Sequence, residues 1–193
     1  MAQPAPSESS QDPRYTIERY LALFEDGALD HDDRVELLEG VVVSMPPSNP
    51  PHAAAISRIM RALFEAIGRR AVLRVQSSFV AGPYSMPEPD LAVVPGHEPD
   101  YDKAHPKTAL LLVEVAHWSL PQDRLTKRAI YAAAGVPEYW IVNLRDGWVE
   151  ILRAPDRKTR LYAETSIARR GERISLVGLS QVSVAVDDLL PGR

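Results

Sequence analysis

Asp90, Glu114 and Lys127 are the residues whose types and spacing could do chemistry. Asp90 follows Pro89 and opens the apolar run Leu91-Ala92-Val93-Val94, while Glu114 interrupts Leu110-Leu111-Leu112-Val113 ahead of Val115. An unpaired charge inside an apolar strand is costly to desolvate, so two carboxylates in such settings call for a reason. Mg²⁺ is a hard cation that takes one or two protein carboxylates and leaves its other positions to water and phosphate. Asp90 and Glu114 could supply those carboxylates if their strands pair, and the Val115 carbonyl could add a backbone oxygen; Mn²⁺ suits the same donors. A bound ion would stabilise charge on an attacked phosphate and lower the pKa of an attacking water. Lys127, on a flexible stem in the helical stretch that follows, could orient water or offset phosphate charge. Together the three read as a kit for hydrolysing a phosphodiester.

Each residue also has a plainer reading. Asp90 after a proline could mark strand entry, and Glu114 could pair structurally with an Arg or Lys. A helical lysine is usually solvated, and Asp123, four residues before Lys127, lies on the same helical face and could simply pair with it. The signal is in the combination. Glu36 or Glu39 could add an outer carboxylate from an N-terminal hairpin. The five histidines (His31, His52, His97, His105, His117) lack the close spacing of a zinc motif. His52 opens a helix and reads as structural or catalytic. Arg58, Arg61, Arg69, Arg70 and Arg74 could contact phosphates, or make a solvated helix face.

The elements that must position these side chains follow from periodicity. Tyr15 to Asp26 has helical spacing, with Thr16 as N-cap and Gly27 as stop. Residues 34–45 read as two strands around a turn at Glu39-Gly40. Met45 to Pro51 is a proline-rich loop, and His52 to Ile67 is an amphipathic helix burying Ile56, Ile59, Met60, Leu63, Phe64 and Ile67. Ala71 to Val80 is β-like, and Pro89 to Val94 and Leu110 to Val115 are short strands of the fully buried type. Leu120 to Ala134 is a second helix closed by Gly135, and Glu138 to Asn143 is a strand. Arg145-Asp146-Gly147 signals a hairpin answered by Trp148 to Leu152 and Leu161 to Glu164, and Val182 to Leu190 closes the chain. This order predicts an α/β fold with a curved mixed sheet flanked by helices.

The chain has 193 residues, 45% of them hydrophobic, which suits one domain. Residues 1–14, rich in Pro, Ser, Gln and Ala, read as a disordered tail, and 15–193 as the domain. The absence of cysteine excludes disulfides, thiolate zinc sites and cysteine nucleophiles. No apolar run approaches a membrane span, and the first residues lack a signal-peptide layout, so the expectation is a cytoplasmic protein without membrane contact. Net charge is −4, but ten of the 26 acids and only three of the 22 bases fall in residues 1–40. The remainder is net +3, which permits a nucleic-acid partner.

The stretch from Asp123-Arg124-Leu125-Thr126-Lys127 through Gly135-Val136-Pro137-Glu138-Tyr139-Trp140-Ile141-Val142, preceded by Glu114-Val115-Ala116, closely resembles the Uma-type restriction-endonuclease-like family. Further matching pieces are Val35-Glu36-Leu37-Leu38-Glu39-Gly40, His52, and Pro87-Glu88-Pro89-Asp90-Leu91-Ala92-Val93-Val94. The resemblance spans about residues 15–190 and implies a PD-(D/E)xK nuclease core, in which Asp90 matches the first acid and Glu114 the second. The lysine expected two residues after the second acid is absent, because that position is Ala116; the resemblance implies its migration to Lys127. Glu36, in preference to Glu39, matches an additional N-terminal acid, and Gln76 matches, more weakly, a polar residue on a neighbouring strand. Where relatives carry a Ser-Pro-rich turn, this chain has His117 and Trp118. His117 could polarise water or be a loop histidine, and Trp118 could stack on a base or cover the sheet edge.

The resemblance implies an Mg²⁺-dependent endonuclease acting on DNA. The alternative is a nuclease fold kept as a non-catalytic module for nucleic-acid or protein binding, suggested by the acidic N-terminus, the displaced lysine and Trp118. Cutting both strands takes two sites, so a homodimer is a further expectation; Tyr139, Trp140 and Trp148 could form an apolar patch for it, although such aromatics are more often core.

Overall fold

The computed structural model describes residues 13–47, 49–117 and 119–192. Most of the expected N-terminal tail, residues 1–12, lies outside them, as does Trp118. The tail's last residue, Arg14, is described, with its guanidinium 4.1 Å above the Tyr84 ring.

Helix α1 (Ile17–Glu25) begins at Thr16, whose side chain accepts the Arg19 N–H as predicted. Strands β1 (Val35–Leu38) and β2 (Val41–Ser44) form an antiparallel hairpin. Its turn residues Glu39 and Gly40 have φ of 54° and 82°, the paired positive values of a type I′ turn. Helix α2 (Pro50–Ile67) starts earlier than the hydrophobic stripe implies, because Pro50 and Pro51 fit a first turn that has no use for their missing N–H groups. Asn49 caps it by accepting the His52 N–H at 3.0 Å. Met60 and Phe64, expected in the buried stripe, face outward instead, and Phe64 is 65% exposed.

The main sheet has six strands in the order β3 (Val72–Val75), β4 (Leu91–Val94), β5 (Leu111–Ala116), β6 (Glu138–Asn143), β7 (Trp148–Asp156), β8 (Leu161–Ala168). Among the described residues only β5 and β6 pair in parallel, Glu114 lying opposite Ile141, and the helical segment between them makes the crossover. That segment runs through α3 (Leu120–Gln122), a π-helical turn at Asp123–Lys127, and α4 (Arg128–Ala134). Gly135, at φ 78° in the left-handed region, ends it. Strand β3 is shorter than the sequence suggests: Gln76 adopts φ 43°, which turns the chain off the sheet edge. A separate ribbon of β9 (Arg173–Leu176) and β10 (Leu179–Ala185), followed by α5 (Val186–Leu189), completes the fold.

Alternate residues of the central strands feed two apolar cores, as a period of two requires. Leu111, Val113, Val115, Trp140 and Val142 pack with α2, β10 and α5. Leu112, Ala116, Tyr139 and Ile141 pack with α4 on the opposite face. Glu114 therefore points to the α4 side. Tyr139 and Trp140 are fully buried, so they form no apolar patch for a second copy; both strand faces are already covered. Glu138, also fully buried, has a structural task. Its Oε1 accepts from Trp140 Nε1 (2.9 Å) and twice from Arg153 (3.0 and 2.7 Å), and its Oε2 accepts the Val177 N–H (2.8 Å), tying β6, β7 and the ribbon together. Among the described residues no helix is long and apolar enough to cross a membrane.

Candidate active site

The hairpin, the loop entering β4, the end of β5, and the crossover helix bring Glu36, Asp90, Glu114 and Lys127 to one pocket of about 120 Å³. Glu36 lies on β1, where the tight turn fixes its register; Glu88 and Asp90 are spaced by Pro89, which keeps that approach extended. Asp90 is anchored across to β5, its Oδ2 accepting the Val115 N–H at 2.8 Å and lying 3.2 Å from His52 Nε2. Glu114 sits on the face that α4 covers, and its Oε1 accepts from Lys127 Nζ at 3.0 Å and from the Tyr131 hydroxyl at 2.7 Å.

Lys127 occupies the end of the π turn, in which the Arg128 N–H reaches back to the Asp123 carbonyl. Such a turn inserts an extra residue into a helix and reorients the side chains around it. Lys127 and Tyr131, four residues apart, then both aim at Glu114, while Leu125 is left facing solvent. Lys127 Nζ also lies 3.2 Å from Glu36 Oε2, which accepts the Glu88 N–H at 3.1 Å. The plain i,i+4 pairing of Lys127 with Asp123 does not form; the Asp123 carboxylate takes a hydrogen bond from Ser119 Oγ at 2.6 Å instead.

Burial sets the electrostatics. Glu36, Asp90, Glu114, Asp123 and Lys127 are all buried. Burial pushes the Glu114 carboxyl well above the usual range, and Lys127 pulls against it. Burial works to lower the Lys127 pKa as well, but Glu114, Glu36 and Asp123 outweigh it, so the lysine is held as ammonium above its ordinary value. Asp123 is raised by burial to about 6 despite Lys127 and the Ser119 hydrogen bond. Burial likewise raises Glu88, and the hydrogen bond to Asp90 raises His52. Five carboxylates (Glu36, Glu88, Asp90, Glu114, Asp123) line the pocket against the fixed cations Lys127 and Arg34.

The donor set suits a hard divalent cation. Among the described residues, every side-chain hydrogen bond of Asp90 falls on Oδ2 and every one of Glu114 on Oε1, which leaves one oxygen on each free to ligate. No group of three His, Asp or Glu side chains stands at metal-ligating spacing among the described residues. The remaining ligands of an ion would be backbone, water or phosphate, the arrangement Mg²⁺ favours, and Val115 is among the lining residues.

Other candidates from the sequence are distributed differently. Glu39 pairs with Arg160 at 2.6 Å, outside this pocket, so Glu36 is the hairpin acid that enters it. His52 and His117 line the pocket. Gln76 stands exposed past the end of β3, its N–H bonded to the Asp90 carbonyl at 3.0 Å, and is not a lining residue. Arg58 and Arg61 lie in a different cleft, between α2 and the ribbon. Glu88, Ser119, Gln122, Tyr131 and Arg34 were not singled out from the sequence as site residues. Glu88 was the most accessible of them, since it sits between two prolines immediately before Asp90.

A model of the Uma2 family, described as "Putative restriction endonuclease", matches residues 17–187. A solved structure described as that of "a putative nuclease belonging to DUF820 from Anabaena variabilis ATCC 29413" superposes with a TM-score of 0.72 at 17% identity, covering 90% of this chain and 96% of that one. At that identity the likeness speaks to the fold alone. A search of curated proteins finds no match.

Proposed function

This chain belongs to the Uma2 family of restriction-endonuclease-like proteins, and from that premise we propose that it is an endonuclease hydrolysing DNA phosphodiester bonds with Mg²⁺, or Mn²⁺ on the same donors. The observation that carries the reading is the pocket itself: five carboxylates converge from separate elements against two fixed cations, and two of them keep an oxygen free. Such uncompensated buried charge is costly unless a cation completes it.

In this reading Asp90 and Glu114, with the Val115 carbonyl, hold the ion. When bound, the ion would neutralise charge at the phosphate and lower the pKa of water. The protein's own groups do the positioning. The Val115 N–H and His52 fix Asp90 by its Oδ2, and Lys127 and Tyr131 fix Glu114 by its Oε1. Glu36 keeps Lys127 charged and aimed, so that its ammonium offsets negative charge developing on the phosphate. Burial of these groups limits solvent screening and strengthens each of those interactions. Residues 15–193 as one domain behind a tail of residues 1–14, a cytoplasmic setting, and a homodimer that presents two sites to a duplex belong to the same proposal.

The test is cleavage of supercoiled, linear and single-stranded DNA with Mg²⁺, Mn²⁺ or EDTA, run beside Glu114→Ala. Metal-dependent cutting that vanishes in the variant, with the fold intact, is the expected result. The second reading, a non-catalytic nuclease-fold module, draws on the Lys127–Glu114–Glu36 contacts, which compensate much of the site's charge without any ion. DNA or protein binding with no metal uptake and no cutting would favour it.

A further inference from the structure

The cations of the pocket divide into those already engaged and one that is not. Lys127 is 6% exposed and bound to Glu114 and Glu36, and His52 faces Asp90. Arg34 differs from both. Its backbone is pinned at the open end of the hairpin, where its carbonyl accepts the Met45 N–H at 2.8 Å. Its side chain is exposed, lines the pocket, and makes no hydrogen bond or ion pair among the described residues. Its positive charge is nonetheless felt at both His52 and Glu88.

A polyanion approaching five carboxylates meets repulsion that a chain of net charge −4 does little to relieve. Lys127, buried and held by two carboxylates, is poorly placed to draw a phosphate in from solvent. An arginine at the mouth can do so, because its planar fork binds two phosphate oxygens at once. We propose that Arg34 binds a backbone phosphate of the nucleic acid entering the pocket, a role separate from that of Lys127. The inference rests on the nuclease reading above and assigns the residue that would hold the substrate in that site.

The experiment measures binding of a fluorescein-labelled DNA duplex by anisotropy in Ca²⁺ over a range of NaCl concentrations, and steady-state cleavage in Mg²⁺, for the wild type, Arg34→Gln, Arg34→Lys and Arg160→Gln. Arg160→Gln removes the same charge at a distance from the pocket. Losing a charged two-point contact predicts binding roughly ten- to a hundred-fold weaker in Arg34→Gln. The loss should appear mainly in KM, and the slope of log affinity against log salt should fall by about 0.9, the value of one phosphate contact. Arg34→Lys should recover the slope and only part of the affinity. Wild-type affinity and slope in Arg34→Gln, or an equal loss in Arg160→Gln, would overturn the inference while leaving a cutting wild type as a nuclease. A wild type that neither binds nor cuts DNA would overturn the nuclease reading and this inference with it.

Discussion

Asp123→Asn should make the protein more stable and less active at neutral pH. Asp123 is 1% exposed, and burial raises its carboxyl from 3.8 to about 6. A carboxyl whose folded pKa lies above its unfolded value is held more easily with its proton than without it. Its contribution to stability is therefore greatest below pH 3.8 and declines as pH rises to about 6, after which it stays constant. That interval corresponds to about 3 kcal/mol, since each pH unit is worth about 1.36 kcal/mol. Asn has the same shape and no charge to bury, and its amide can still meet Ser119. Urea melts of both proteins between pH 4 and 8 should thus converge at the acid end and separate through pH 6, with the variant up to about 3 kcal/mol more stable at pH 7.5. Cleavage should fall, because the pocket loses one of the charges that keep Lys127 an ammonium and attract a cation. A variant that is less stable than the wild type at pH 7.5, or a difference independent of pH, would refute the reasoning.

Lys127→Met should destabilise the protein at neutral pH by about 3–5 kcal/mol, because it leaves Glu36 and Glu114 buried without their cation. Part of that loss should return as pH is lowered and Glu114 takes its proton, and part on adding Mg²⁺, both visible in urea melts. The rate of DNA cleavage should rise with pH from 5 to 7, since burial holds Glu114 above its ordinary value and Asp123 at about 6, and both must ionise to serve a cation; a rate flat across that range would contradict the assignment. Glu39→Gln should leave cleavage intact and cost under about 1 kcal/mol, because its pair with Arg160 is half-exposed, whereas Glu36→Gln should impair cleavage. Parallel cleavage assays and melts of the two hairpin variants separate these roles.

The strands carrying Asp90 and Glu114 were legible because each is a short apolar run in which a single carboxylate is out of place. The hairpin was legible because Glu39-Gly40, set between the apolar runs Leu37-Leu38 and Val41-Val42-Val43, marks a turn of positive φ. What could not be read is where helix geometry departs from 3.6 residues per turn. Nothing in Asp123-Arg124-Leu125-Thr126-Lys127 marks a π turn, and with regular spacing Asp123 and Lys127 should have paired. The short β9 strand was also hidden, because four residues carry too little pattern to stand out. Glu36 and Glu39 were separated by the family resemblance alone, since the contact that takes Glu39 away from the pocket is with Arg160, far off in sequence. Trp140 and Tyr139 could be read as core or as a surface patch, and the two-sided coverage of the sheet decides for the core.

Glu138 supplies the comparison that separates a structural buried carboxylate from a chemical one. It is as deeply buried as Glu114, on the adjacent strand, yet its two oxygens take four hydrogen bonds from Trp140, Arg153 and Val177, so the fold itself accounts for its charge. Glu114 and Asp90 are treated otherwise. Each is gripped by one oxygen only, among the described residues, and each faces a pocket that already holds three other carboxylates. A fold that needed nothing more than cohesion there would gain from apolar side chains of similar volume, because a buried ion cluster is commonly no more stable than its hydrophobic replacement. Holding a carboxylate rigidly while leaving half of it open is instead what a site for an exchangeable cation requires, and the displaced lysine fits that requirement. Reaching in from the crossover helix, Lys127 grips Glu114 from the α4 side by its Oε1 and leaves the second oxygen open, where the proposed function would place an ion.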